Sequence, residues 1–234
     1  MTYNERLIEK YRDFDRIIKT YYQTRDKAGR RLDVDGVVNP HRLDFRQQCS
    51  VTDDQGSTSE CAAYSICNLC EALIWKRTGK LVNLNPDQVY AGAKLIDGMK
   101  NQDGTYLEYA IQSAFRLGGF ENVDKLKIGF LYAGEKETTI EKFKFLIHKY
   151  ELLHAGFNIS NGWYQCNQDD PVIKPGNAPC GGHAVLAVGY DSQGAYIQNS
   201  WGVSWGSKGF GILPWDLFHE QFMYACYIEN SLKF

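Results

Sequence analysis

The chain has 234 residues, of which 44% are hydrophobic and 14% aromatic, and a formal net charge of -2. That length and composition suit one large globular domain, or two lobes sharing a cleft, with a substantial apolar core. The near-neutral balance and the lack of a basic run with interleaved aromatics exclude nucleic acid as a partner, and no stretch approaches the roughly 18 apolar residues of a membrane span.

Leu7, Tyr11, Phe14, Ile18 and Tyr21 recur at spacings of three and four, so residues 3–22 predict an amphipathic helix. It is expected to pack on the body of the protein, with an inhibitory or partner contact as the alternative. Its charged start, Met1-Thr2-Tyr3-Asn4-Glu5-Arg6, lacks the apolar core of a secretion signal, and a cytoplasmic location is expected. Gly29 to Pro40 reads as an irregular connector. A second helix is predicted from Cys61 to about Lys76, with Ala63, Ile66, Cys70, Leu73 and Ile74 near one face and Gly79 after its end. Asn85-Pro86, a cap followed by proline, opens a helix to about Ile96. Thr105 with Glu108, and Thr138 with Glu141, are capping-box patterns for helices ending near Leu117 and Tyr150. Beyond Leu152 the pattern changes. The segments 152–159, 184–189, 195–198, 209–213 and 224–228 are short, rich in β-branched or aromatic residues and separated by Gly, Asp and Ser turns.

A helical first half and a stranded second half imply an α+β protein of two lobes. The expected division is an N-terminal helix and connector over 1–42 and a domain over 43–234, split into a helical lobe (about 43–150) and a β-barrel-like lobe (about 151–234), with a cleft between them.

Seven cysteines, at 49, 61, 67, 70, 166, 180 and 226, leave at least one unpaired in a monomer. Cys67 and Cys70 form a C-x-x-C inside a helical pattern with no second pair at zinc-ribbon spacing, so both are read as core residues. Cys166 and Cys180 flank a Pro/Asn/Asp-rich loop, and a bridge between them stays open. The cysteine spacing thus gives no zinc or redox site.

The chemistry lies in three segments that carry Gln55, Cys61, His183 and Asn199. Cys61 stands at a helix start, where unsatisfied N–H groups favour a thiolate. A histidine can take the thiol proton and return it to a leaving amine, and an asparagine accepting from the imidazole N–H fixes the ring. The side chain of Gln55 and the backbone N–H of Cys61 can stabilise an oxyanion. Each residue alone is weak, because a lone histidine in an apolar strand is usually a core residue and Gln-Gly is usually a turn; the constellation is strong.

These segments resemble the papain family of cysteine peptidases. Asp44-Phe45-Arg46, Val51-Thr52, Asp54-Gln55-Gly56-Ser57 and Cys61-Ala62-Ala63-Tyr64-Ser65 follow its N-terminal pattern. Gly182-His183-Ala184-Val185 follows its histidine strand, and Asn199-Ser200-Trp201-Gly202 with Trp205-Gly206 follows its asparagine segment. The likeness covers roughly residues 43–229. It is greatest to the signal-less bacterial and viral branch, where Asp103-Gly104-Thr105-Tyr106 and Leu213-Pro214 find counterparts. The resemblance implies a two-lobed fold, cleavage of peptide bonds in an extended peptide or protein substrate, no metal or organic cofactor, and a Trp201 that shields the His183–Asn199 contact from water. Glu60, Gly182, Trp201 and Trp205 are the expected substrate-binding residues. The sequence departs from the family in three places: Thr58 replaces the first cysteine of the nucleophile stretch, so the disulfide it would make cannot form; Ala62 stands where tryptophan is usual; and Glu60 places a carboxylate before the nucleophile. A transamidase or isopeptidase with the same acyl-enzyme, and an inactive peptide-binding relic of the fold, are the rival readings.

Overall fold

The computed structural model describes residues 40–99 and 101–229; the helix expected over 3–22 lies outside them. In chain order the elements are β1 (Leu43–Asp44), α1 (Cys61–Thr78), α2 (Pro86–Lys94), α3 (Leu107–Leu117), β2 (Ile128–Tyr132), α4 (Lys136–Tyr150), β3 (Leu153–Ser160), β4 (Pro179–Tyr190), β5 (Gly194–Gln198), β6 (Phe210–Pro214), α5 (Trp215–Gln221) and β7 (Phe222–Ile228).

Helix α1 is the axle of the helical part. Ala62, Ala63, Ser65, Ile66, Cys67, Asn68, Leu69 and Cys70 are all buried, so it is enclosed on nearly every side rather than along one stripe. It ends at Gly79, whose φ of 69° lets its N–H reach back to the Trp75 carbonyl at 2.8 Å. Helix α2 starts as its sequence predicts: Asn85 Oδ1 accepts the Gln88 N–H at 3.1 Å and Pro86 follows the cap. The other two capping boxes do not form as expected. The Thr105 hydroxyl donates to Asp97 Oδ2 at 3.0 Å, α3 begins at Leu107, and the Leu107 N–H is taken up by the Tyr224 hydroxyl at 3.2 Å. Helix α4 begins at Lys136, two residues before Thr138, with Glu135 Oε1 accepting the Glu137 N–H.

The strands form one antiparallel sheet in the order β2-β7-β3-β4-β5-β6, with β1 added against β4. Both faces are covered, and β4 shows how. Ala184, Leu186 and Val188 pack with α1 and α3, while Val185 and Ala187 pack with the cluster built on Phe157, α4 and α5. Successive side chains of a strand point to opposite faces, so a strand covered on both reads as an unbroken apolar run.

Three expectations are corrected. The sheet is open, with β2 and β6 at opposite edges, rather than closed into a barrel. Helix α4 was expected with the helical lobe, but Phe143, Leu146 and Ile147 lie in the core on the far side of the sheet, beside Leu153, Ala155 and Phe157. Strand β2 also lies before residue 150 yet pairs with β7 along its whole length. The seven cysteines are free thiols; Cys166 is buried and Cys180 exposed, without a bridge, and Cys67 and Cys70 are core residues as read from the sequence.

Candidate active site

Gln55, Cys61, Gly182, His183, Trp201 and Trp205 line one cleft of about 1040 Å³ between the start of α1 and the end of the sheet. Cys61 is the first residue of α1, and its thiol meets the backbone N–H of Ala184, the residue that follows His183 on β4, as well as those of Ala62 and Cys61 itself. Burial raises the Cys61 thiol above its ordinary value, and the three N–H groups oppose that rise without cancelling it. The helix start therefore does not by itself produce the depressed thiol expected from the sequence, because desolvation of a lone thiolate is the larger effect. His183 is pushed the other way, to about 4, by burial; its hydrogen bond to Asn199 works against the drop. Both shifts penalise a group charged alone. When the proton passes from sulfur to imidazole the two charges appear together, and their attraction offsets the burial of each.

The hydrogen-bond network assigns the tautomer. Asn199 Oδ1 lies 2.7 Å from His183 Nε2 and 2.8 Å from the Ser200 backbone nitrogen. A backbone N–H can only donate, so the atom it meets is the amide oxygen. The same oxygen must then accept a proton from Nε2, which leaves Nδ1 as the basic atom of the imidazole. Aromatic rings hold the histidine from the sides. Trp201 stacks on it at 4.8 Å and 29°, and Trp163 meets it edge-on at 5.9 Å.

Gln55 is fixed at both ends of its amide. Oε1 accepts the Ser200 hydroxyl at 2.6 Å, and Nε2 donates to the Thr58 carbonyl at 2.7 Å, leaving one N–H of that nitrogen for the cleft. Its segment is tied to the asparagine segment through the backbone: Gln55 N–H donates to the Ser200 carbonyl at 2.8 Å, and Gly202 N–H to the Asp53 carbonyl at 3.0 Å.

Of the expected substrate-binding residues, Gly182 and Trp201 face the cleft, whereas Trp205 is 5% exposed and its indole N–H donates to the Trp163 carbonyl at 2.8 Å, so it supports the wall. Glu60 is outside the cleft lining. Its carboxyl lies against Asp87 of α2 and, through burial first and that neighbouring carboxylate second, is held above the ordinary range. Reading the sequence missed three supporting residues. Ser200 was adjacent to a named residue, but its partner is 145 positions away. Trp163 has no local signature. His154 stands in an apolar strand with no local signature, yet its Nδ1 lies 2.9 Å from the Ser65 hydroxyl of α1.

Fold and site together define an α+β protein that places a thiol, an imidazole and an amide in one cleft beside a buried helix, with a second amide behind the imidazole. A profile for the "Papain family cysteine protease" matches residues 132–230, which include His183 and Asn199 but not Cys61. Chymomexicain of Jacaratia mexicana is 31% identical over 193 residues, 73% of this chain and 86% of that protein. The chain belongs to the papain family of cysteine proteases. Cathepsin K of Mus musculus is 25% identical over an alignment of 236 positions covering 83% of this chain; the chain spans 64% of that relative's length. Among solved structures, xylellain, a cysteine protease from Xylella fastidiosa, shares the fold with a TM-score of 0.65 at 18% identity, over 83% of this chain and 87% of that one.

Proposed function

We propose that the protein is a cysteine endopeptidase that hydrolyses peptide bonds through an acyl-enzyme. In this reading His183 Nδ1 takes the Cys61 thiol proton as the sulfur attacks the scissile carbonyl carbon. The resulting oxyanion receives hydrogen bonds from the Gln55 Nε2–H and the Cys61 N–H. The imidazolium then protonates the departing amine, and the C–N bond breaks to leave a thioester. A water molecule, deprotonated by the same imidazole, attacks the thioester, and the thiol leaves with the proton. Asn199 keeps the ring in the tautomer these steps need.

The observation that carries the reading is the single Asn199 oxygen shared by His183 Nε2 and the Ser200 N–H, because it makes Nδ1 the base in the cleft that Cys61 lines. Glu60, the chief support for a disabled site, lies against Asp87 and outside that lining. The test is incubation with a peptide library, with products read by mass spectrometry in the presence and absence of an added amine. New C-terminal carboxylates that disappear in Cys61→Ala are expected. Amine adducts in their place would favour a transamidase, and intact peptides with tight binding would favour a binding module.

A further inference from the structure

One wall of the cleft is the stretch that joins α2 to α3. Met99, Gln102, Gly104, Thr105, Tyr106 and Leu107 all face the cavity. Its described residues, 95–99 and 101–106, contain almost no regular structure, and the seven cysteines, all free, give it no covalent staple. Its centre is the ammonium of Lys94, the last residue of α2. Nζ donates to the carbonyl oxygens of Met99 at 2.8 Å, Gln102 at 3.0 Å and Gly104 at 3.2 Å, and pairs with Asp97 Oδ2 at 2.8 Å. Four oxygens thus surround one cation, three of them backbone carbonyls of the loop and one the Asp97 carboxylate. The cage is itself fixed: the Asp97 side chain is fully buried, its Oδ1 accepts the Met99 N–H at 2.8 Å and its Oδ2 accepts the Thr105 hydroxyl.

A second residue of α2 grips the same loop. Tyr90 lies one turn before Lys94, on the same helix face. Its hydroxyl accepts the Gly104 N–H at 3.1 Å, while Lys94 takes the Gly104 carbonyl. Gly104 sits at a φ of +78°, and a Cβ there would lie 3.9 Å from the Ser59 carbonyl oxygen, two residues before Cys61. The caged loop therefore abuts the chain that leads into the nucleophile.

We propose that Lys94 is a positioning residue: its ammonium acts as a built-in cation that holds residues 97–99 and 101–106 in the shape of a substrate-receiving wall, a role that presupposes the peptidase reading. A peptide lying in the cleft would meet a wall already ordered, so the entropy of folding that loop would not be charged against binding. Loss of the cation should then raise KM while leaving the chemistry at Cys61 alone.

The test uses Lys94→Met, which keeps the stem and removes the charge, and Lys94→Ala, which opens the cage. Hydrogen exchange of the amides in 97–106 is followed by mass spectrometry, beside steady-state kinetics on a peptide substrate and alkylation of Cys61 by iodoacetamide. In Lys94→Met, exchange in that segment should accelerate by about tenfold or more, and KM should rise by about tenfold with kcat and alkylation within about twofold of wild type. Ammonium chloride should restore KM in Lys94→Ala, and sodium chloride at equal ionic strength should not. Tyr90→Phe, which leaves the cation in place, should give the same shifts at smaller size. Unchanged exchange in 97–106 would overturn the clamp. Faster exchange with unchanged KM would overturn its part in substrate binding, and a joint fall of kcat, alkylation and overall protection would reduce Lys94 to a general stabiliser. If the wild-type protein cleaves no peptide, the peptidase reading fails and the exchange data still decide the clamp.

Discussion

Ser200→Ala separates orientation from contact in the oxyanion site. The Ser200 hydroxyl touches no substrate in the proposed mechanism; it holds Gln55 Oε1 at 2.6 Å in a buried setting. Removing it leaves that oxygen without its donor, a loss of about 1–3 kcal/mol for a buried acceptor. Were all of it felt in the transition state, kcat/KM would fall by about 5- to 150-fold. The full amount should not appear, because the Thr58 carbonyl still anchors Gln55 Nε2 at 2.7 Å. A fall of about tenfold is expected, below the roughly 100- to 1000-fold expected of Gln55→Ala, which deletes the donor itself. The assay is kcat/KM on a fluorogenic peptide for wild type, both single variants and the double variant. Since Ser200 acts through Gln55, the double variant should be no slower than Gln55→Ala alone. Multiplicative effects, or a Ser200→Ala defect larger than that of Gln55→Ala, would refute this chain of action.

Other outcomes can be checked alongside. Cys61→Ala should abolish peptide hydrolysis and leave the far-ultraviolet circular dichroism unchanged; residual turnover would remove the cysteine from the mechanism. Trp201→Ala exposes the imidazole that the indole covers at 4.8 Å. Relief of burial should raise the His183 value from about 4, so the acid limb of the rate profile should move to higher pH. His154 is fully buried and held at about 3, below its ordinary 6.5. Between those values the unfolded chain binds a proton that the folded chain refuses, so stability falls as pH drops through that window. His154→Asn should lessen the slope of urea-melt stability there by about 1.4 kcal/mol per pH unit, and an unaltered slope would contradict the assignment.

The residues of the candidate site are more legible in the sequence than the fold around them. Cys61, His183 and Asn199 stand in short segments whose residue types have few other uses together, and the Asn85-Pro86 cap is a local device that depends on nothing distant. What escaped depends on partners far along the chain. Thr105 with Glu108 has the pattern of a capping box, but Asp97 captures the threonine hydroxyl and Tyr224 takes over the helix start. Strand β2 reads poorly because five residues containing a glycine become a strand only once β7 lies beside them. Helix α4 was recognised but misplaced, since periodicity tells that a face is apolar and not which side of a sheet will cover it. For the thiol, the helix terminus was visible from the sequence and the opposing burial was not.

The backbone ties between 53–55 and 200–202 alter what the two halves of the chain can be. Residues 43–44 extend the sheet through β1, and the Ser50 carbonyl accepts the Gln198 amide at 2.8 Å, so the stretch before Cys61 lies with the strands although it precedes α1, α2 and α3. From residue 40 the chain starts with the strands, crosses to build α1, α2 and α3, and returns. A protein cut at the loop before β2 would thus yield a first fragment carrying the thiol together with the short strand β1 that pairs with β4 of the other fragment's sheet. Neither piece could close its own core, yet each would hold the template the other lacks. Activity should be regained on mixing the two, at a rate set by their concentration.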